Sequence, residues 1–144
     1  MKIQVNGLSV AYDIAGSSGE WVTLSHAHCC NRETWQALRQ QLSTHYRVLT
    51  FDARGHGDTS STPPPYTMAG LADDAFQLLQ ALGIHRTHWV GQAMGGLDLN
   101  QRIQEIPSDT RRDGASDAFR NYPLIAGCLA RCIAHGESGA AGAI

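Results

Sequence analysis

Thr87-His88-Trp89-Val90-Gly91-Gln92-Ala93-Met94-Gly95-Gly96 is the stretch that decides the fold. A short apolar run enters a Gly-x-x-x-Gly-Gly turn, and a helical pattern begins directly after it. Glycines flank a sharp change from strand to helix because small residues are needed where backbones crowd. Such a turn lifts its central side chain above the sheet. In this chain that side chain is the methyl group of Ala93.

The chain upstream of the turn alternates between two periods. Residues 85–90 read as the strand that enters it. Before them, Leu71, Ala75, Leu78, Leu79 and Leu82 make the buried stripe of a helix, with Thr67 as cap and Gly83 at C′. Pro63-Pro64-Pro65 prevents regular structure before that helix. Residues 46–51 read as a half-apolar strand, and residues 52–60 as the loop at its end. Residues 21–25 form another strand, followed by the loop His26-Ala27-His28-Cys29-Cys30. Asn31 then caps a helix whose apolar face is Trp35, Leu38 and Leu42. Residues 2–6 and 8–14 alternate about Asn6-Gly7, which predicts a β-hairpin on the antiparallel edge of a mixed sheet.

Strands alternating with helices indicate parallel βαβ units with right-handed crossovers. The fold class is therefore α/β, with a mostly parallel sheet and an N-terminal antiparallel hairpin. Residues 95–106, with Leu97, Leu99, Ile103 and Ile106, are expected to form the helix after the turn, ended by Pro107. Residues 111–117 are too polar for a buried parallel strand. Residues 122–135 could form one short apolar helix, and disorder is expected beyond them. The chain thus divides into residues 1–106, an N-terminal part of a domain, and residues 107–144, a divergent, irregular tail.

With 144 residues the chain is one domain at most. A net charge of −2 suggests neither a nucleic acid nor an anionic membrane as partner. No apolar run is long enough to span a bilayer, and no signal peptide opens the chain. The cysteines form two pairs, Cys29 with Cys30 and Cys128 with Cys132. Without a secretory signal they read as cytoplasmic thiols.

Four motifs, in order, resemble the α/β-hydrolase superfamily. Ser25-His26-Ala27-His28 resembles its His-Gly-x-x loop, and residues 31–35 the segment that follows. Asp52-x-Arg54-Gly55-His56-Gly57-x-x-Ser60 is similar to its Asp-x-Arg-Gly-x-Gly-x-Ser loop. Gly91 to Gly96 is similar to its nucleophile elbow, Gly-x-Ser-x-Gly. The subgroup closest in character is that of small esterases and enol-lactonases such as 3-oxoadipate enol-lactonase. The match spans residues 1 to about 106, in a chain roughly half the length expected of a complete member.

The resemblance implies acyl transfer to an elbow serine, with an ester or lactone as the small-molecule substrate and no cofactor. It places the oxyanion donors at the backbone N–H groups of His28 and Met94, with Gly91, Gln92, Gly95 and Gly96 shaping the elbow. It also implies the strand order 1-2-4-3-5-6-7-8. Three departures stand out. Ala93 replaces the serine, and Ala27 replaces the first loop glycine. No residue after the elbow matches the family's acid or histidine; Asp113, Asp117 and His135 have suitable side chains but lack strand context.

A methyl group cannot attack a carbonyl. Loss of a triad member leaves at most about 10³- to 10⁴-fold rate enhancement over water. The chain is therefore expected to be a catalytically impaired hydrolase with an architectural elbow, derived from one whose second half was lost. A sheet ending at its fifth strand would leave an apolar edge open to self-association or a partner chain.

Two alternatives remain. One is a non-catalytic module that binds a ligand or partner. The other is metal binding through His26, His28, Cys29 and Cys30, with His56 nearby, though this spacing is not a recognised zinc pattern. Cys29 or Cys30 as nucleophile is a further variant, away from the elbow. Cys128, Cys132 and His135 also share a helical face. Asp52 and Arg54 are expected to hold their loop by a salt bridge and backbone hydrogen bonds rather than act on substrate, with His56 stabilising it.

Overall fold

A computed structural model describes residues 1–96. The predicted helix over 95–106 is described only as far as Gly96, and the helix over 122–135, with the tail as a whole, lies outside the described residues. Among the described residues five strands and two complete α-helices are present: β1 Lys2–Val5, β2 Leu8–Ala15, β3 Trp21–Ser25, α1 Gln36–Leu42, β4 Arg47–Phe51, α2 Met68–Ala81 and β5 His88–Gly91. The sheet order is β1-β2-β4-β3-β5, as the resemblance implies. β1 with β2 and β2 with β4 are antiparallel, whereas β3 lies parallel to both β4 and β5.

The hairpin forms where Asn6-Gly7 predicts it. Both residues have positive φ, 50° and 74°, the pattern of a type I′ turn whose twist matches that of the flanking strands. Val5 pairs with Leu8 across it.

The parallel strands are buried on both faces, as such strands require. On one face Val22, Leu24 and Val48 pack with Trp35, and Leu38 and Leu42 of α1 join them. On the other, Leu49, Phe51 and Trp89 pack with Ala75, Leu78 and Leu79 of α2 and with the hairpin residues Val5, Leu8 and Val10. Burial of a side chain such as Leu78 stabilises the fold by roughly 1.5–3 kcal/mol.

Helix ends follow the sequence closely. The Thr67 side chain accepts a hydrogen bond from the Gly70 N–H. At the other end Gly83, with φ 67°, lets its own N–H reach Gln80 O and the Ile84 N–H reach Leu79 O. This pair of bonds satisfies carbonyls that the last helical turn leaves open.

Two predicted boundaries are corrected. The segment after Asn31 begins as a 3₁₀ turn over Arg32–Trp35 before α1 starts at Gln36. The turn is tight because the Asn31 side chain accepts the Glu33 N–H, so Trp35 reaches the core before the α-helix begins. The last strand starts at His88 rather than at residue 85. Its ladder to β3 begins only at the Val22–His88 pair, and a strand needs a neighbour for its backbone groups.

Candidate functional site

β4, β3 and β5 run parallel, so their carboxyl ends share one edge of the sheet. Ser25 is the last residue of β3; it lies beside Phe51 on one side and Gly91 on the other. The loops that follow the three strands therefore emerge side by side. In open α/β sheets this is the edge where ligands bind.

The turn after β5 has the elbow geometry. The Gln92 N–H donates to Ser25 O, and the N–H groups of Gly95 and Gly96 donate to Gln92 O and Ala93 O. Residues 94–96 are already helical. Ala93 is exposed and has φ 48°, a left-handed conformation that disfavours a Cβ by about 1–2 kcal/mol. A Cβ on Gly91 would run into the backbone of Gly95 and Gly96, and one on Gly95 into Ser25. The Trp89 indole N–H donates to Gly95 O at 2.8 Å from below. The Met94 side chain is buried and packs with Ala53 and Leu71. The Met94 N–H opens the new helix, where no preceding turn supplies an acceptor and the helix dipole favours negative charge.

The loop after β3 is fastened through His26, which is fully buried. Its Nε2 accepts the Ala53 N–H at 3.0 Å, and its Nδ1 lies 2.8 Å from Ala27 O. A carbonyl only accepts, so Nδ1 carries the proton and the ring is neutral. Burial pushes the His26 imidazole below its ordinary pKa. The Ala27 bond opposes that shift, the nearby His56 adds to it, and Asp52 opposes it. The Cys30 N–H also donates to Ala27 O, closing a turn in which Cys29 takes φ 62°. Cys29 is exposed, Cys30 is half-buried, and both are free thiols.

The loop after β4 is held by charge. Asp52 is completely buried. It accepts the backbone N–H groups of Arg32 at 2.6 Å and Asp58 at 2.9 Å, and it pairs with the Arg32 guanidinium. Arg32 also reaches Asp13 and Asp58, each at 2.9 Å. Burial works against the Arg32 charge, yet Asp58, Asp13 and Asp52 together hold its pKa well above the ordinary value. Burial also opposes ionisation of Asp13, but hydrogen bonds from Arg32 and Arg39 hold its carboxyl below the usual range.

The expected Asp52–Arg54 salt bridge is not formed. Arg54 turns to α2, where it bonds Asp74 through Nε at 2.8 Å and Nη2 at 2.7 Å. These hydrogen bonds to the Asp74 carboxylate raise the Arg54 pKa, with burial opposing them. Arg32 takes the place beside Asp52 because the 3₁₀ turn brings its backbone and side chain there together. Thr59 joins the hairpin to this loop, accepting the Ala11 N–H and donating to Asp52 O. His56 donates from Nδ1 to Arg54 O, which fastens its own loop.

The structure therefore brings together Ala93, Met94, His26, His28 and His56 at one edge. The ring of His56 lies 5.1 Å from that of His26 and 5.4 Å from that of His28. Among the described residues no three His, Cys, Asp or Glu side chains are arranged to hold a metal. Both ring nitrogens of His26 are already engaged, which removes it from the ligand set His26, His28, Cys29 and Cys30. Asp113, Asp117, Cys128, Cys132 and His135 lie outside the described residues. No described helix is long and apolar enough to cross a membrane.

With this geometry in place, four likenesses to known families and proteins agree. The family model described as the alpha/beta hydrolase fold matches residues 20–98. RutD of Yersinia enterocolitica, a protein named for carbamate hydrolysis, is 33% identical over 100 residues, 69% of this chain and 35% of that protein. 3-Oxoadipate enol-lactonase 1 of Acinetobacter baylyi is 31% identical over 97 residues, 67% of this chain and 33% of that protein. The crystal structure of the enol-lactonase from Burkholderia xenovorans LB400 matches with a TM-score of 0.69 at 32% identity, covering 73% of this chain and 42% of that one. The chain spans about a third of the length of these curated relatives.

Proposed function

The chain belongs to the α/β-hydrolase fold family, and from that premise we propose that it is a hydrolase-derived protein whose serine route to ester or lactone cleavage is lost at Ala93. The observation that carries the reading is Ala93 itself, exposed at the tip of a formed elbow with φ 48°. The position that the family gives to a serine hydroxyl holds a methyl group, which neither attacks nor carries an acyl group. The N–H groups of His28 and Met94 are the proposed oxyanion donors. Their support is the shared edge of β3 and β5 and the place of Met94 at a helix start. The names of the relatives make carbamates, esters and enol-lactones the compounds to try first.

A second reading is a module that binds such a ligand without turnover. It is favoured by the same geometry, because donors aimed at a carbonyl oxygen bind it whether or not a nucleophile is present. Self-association or a partner strand along β5 belongs to this reading, since among the described residues β5 has its ladder on the β3 side. A cytoplasmic location fits the free thiols Cys29 and Cys30.

The test is hydrolysis of an activated ester and of an enol-lactone by purified protein, with size-exclusion chromatography to confirm folding. Wild type is expected to release product no faster than buffer. Saturable binding of the lactone without release would favour the second reading. Turnover by the unaltered chain would overturn the first.

A further inference from the structure

We propose that His26 is a positioning residue, whose imidazole locks the Ala27–His28 peptide and so fixes the direction of the His28 N–H. The inference rests on the reading of that N–H as an oxyanion donor. The warrant is peptide planarity. The Ala27 carbonyl and the His28 N–H belong to one rigid unit and point in opposite directions across a trans bond. Whatever holds the carbonyl therefore aims the amide.

Two donors hold that carbonyl: His26 Nδ1–H at 2.8 Å and the Cys30 N–H at 3.1 Å. The imidazole is in turn held from its other side by the Ala53 N–H at 3.0 Å. A backbone amide can only donate, so Nε2 must be bare and Nδ1 must carry the hydrogen. One neutral tautomer thus satisfies both bonds at once. It ties the loop after β3 to the first residues after β4. Turning the peptide over would leave the Nδ1–H without an acceptor in a fully buried place.

The lock has a built-in release. A proton on Nε2 would face the Ala53 N–H, donor against donor. The charged and titratable groups facing the ring are His56 and Asp52 from the β4 loop, with His28 packed on the far edge of His56. The Asp52 carboxylate is committed to Arg32 and to two backbone amides.

The experiment is a pH titration of the full ¹⁵N-labelled chain, reading the imidazole nitrogens, amide resonance positions and amide exchange together. His26 is expected to show a bare Nε2 and a protonated Nδ1, and to titrate below about 6.5, the ordinary imidazole value. Below its titration point the amides of Cys30 and Ala53, which are hydrogen-bonded to Ala27 O and to the ring, should lose protection in step, by about tenfold per pH unit after correction for intrinsic rates, and the His28 amide should shift its ¹H–¹⁵N resonance with the same midpoint. Amides of the β1–β2 hairpin should keep theirs.

His26→Gln keeps an acceptor and a donor, so it should retain protection at neutral pH and lose the pH dependence. His26→Leu should lose protection of the Cys30 and Ala53 amides at every pH. If the leucine chain does not fold, the titration of the unaltered chain decides alone. An Nε2–H tautomer, or a His28 amide that does not respond while His26 titrates, would overturn the proposal. The outcome is independent of turnover: a lock that behaves as described in a chain that binds no ester or lactone would count against the hydrolase reading only.

Discussion

The elbow after β5 and the loop after β4 leave the same edge of one sheet, and they are held in opposite ways. The elbow is held by sterics and backbone bonds, with Gly91 and Gly95 pressed against neighbouring backbone and Trp89 bracing the turn from below. No charge takes part in these contacts. The β4 loop is held by a buried carboxylate and a guanidinium shared among Asp13, Asp52 and Asp58. Nothing in the first arrangement uses the side chain at position 93. The turn therefore does not depend on which side chain it displays. The Asp52 carboxylate, by contrast, is needed by the structure itself.

The largest expected effect breaks the charged side of this comparison. Asp52→Ala removes the acceptor of two backbone amides and the one fully buried partner of the Arg32 guanidinium, itself only 14% exposed, leaving it Asp13 and Asp58. Removing one member of a buried pair should destabilise by about 3 kcal/mol, read as a lowered urea midpoint. A loss below about 1 kcal/mol, the scale of a surface pair, would show that the loop is not charge-held.

Gly95→Ala attacks the steric side. Its new Cβ would meet the Ser25 backbone, which cannot move without disturbing β3. A cost of roughly 1–3 kcal/mol is expected in the same unfolding assay, with no dependence on salt. Salt-sensitive destabilisation would blur the contrast between the two turns.

Mild acid separates the two regions without a mutation. The folded pKa of His26 is depressed, so the unfolded chain binds more protons as the pH falls below about 6.5. The His26 contribution to stability is thus complete above that value and lost as the pH drops through the folded one. Asp13 adds a second loss further down, as the pH falls below its unperturbed 3.8. Thermal melts from pH 7.5 to 3 should show two successive declines. Removing His26 by His26→Gln should abolish the first and spare the second.

The smallest effect sharpens the elbow. Ala93→Gly relieves a left-handed Cβ but frees the unfolded chain, and a net gain of roughly 0.5 kcal/mol or less is expected. A loss of stability would mean that the methyl group packs, contrary to its exposure.

Local signals in the sequence were sufficient for the frame. Asn6-Gly7 fixes the hairpin, Thr67 and Gly83 bound α2, and the glycines about Ala93 mark the elbow, because each acts within a few residues. Asp52 was seen, but its partner was misassigned to Arg54. Arg32 stands twenty residues from Asp52 and reaches it only when the 3₁₀ turn folds beside β4. Asp74 is one of two adjacent acids in α2, Asp73 and Asp74, and its bonds with Arg54 and Asn6 are set by tertiary contact. His26 was legible as a loop residue. Engagement of both ring nitrogens, which excludes it as a ligand, depends on the approach of Ala53 and could not be read from spacing.

The most direct test of the central claim is acyl trapping. Wild type and Ala93→Ser are mixed with an activated acetate ester, quenched within seconds and weighed intact by mass spectrometry. If the elbow is formed and another residue of the chain supplies a base, wild type stays unmodified while the serine variant gains one acetyl group, mapped by peptide analysis to position 93. An acetyl group on the wild-type chain, at Cys29, Cys30 or elsewhere, formed and released in step with turnover, would contradict the claim.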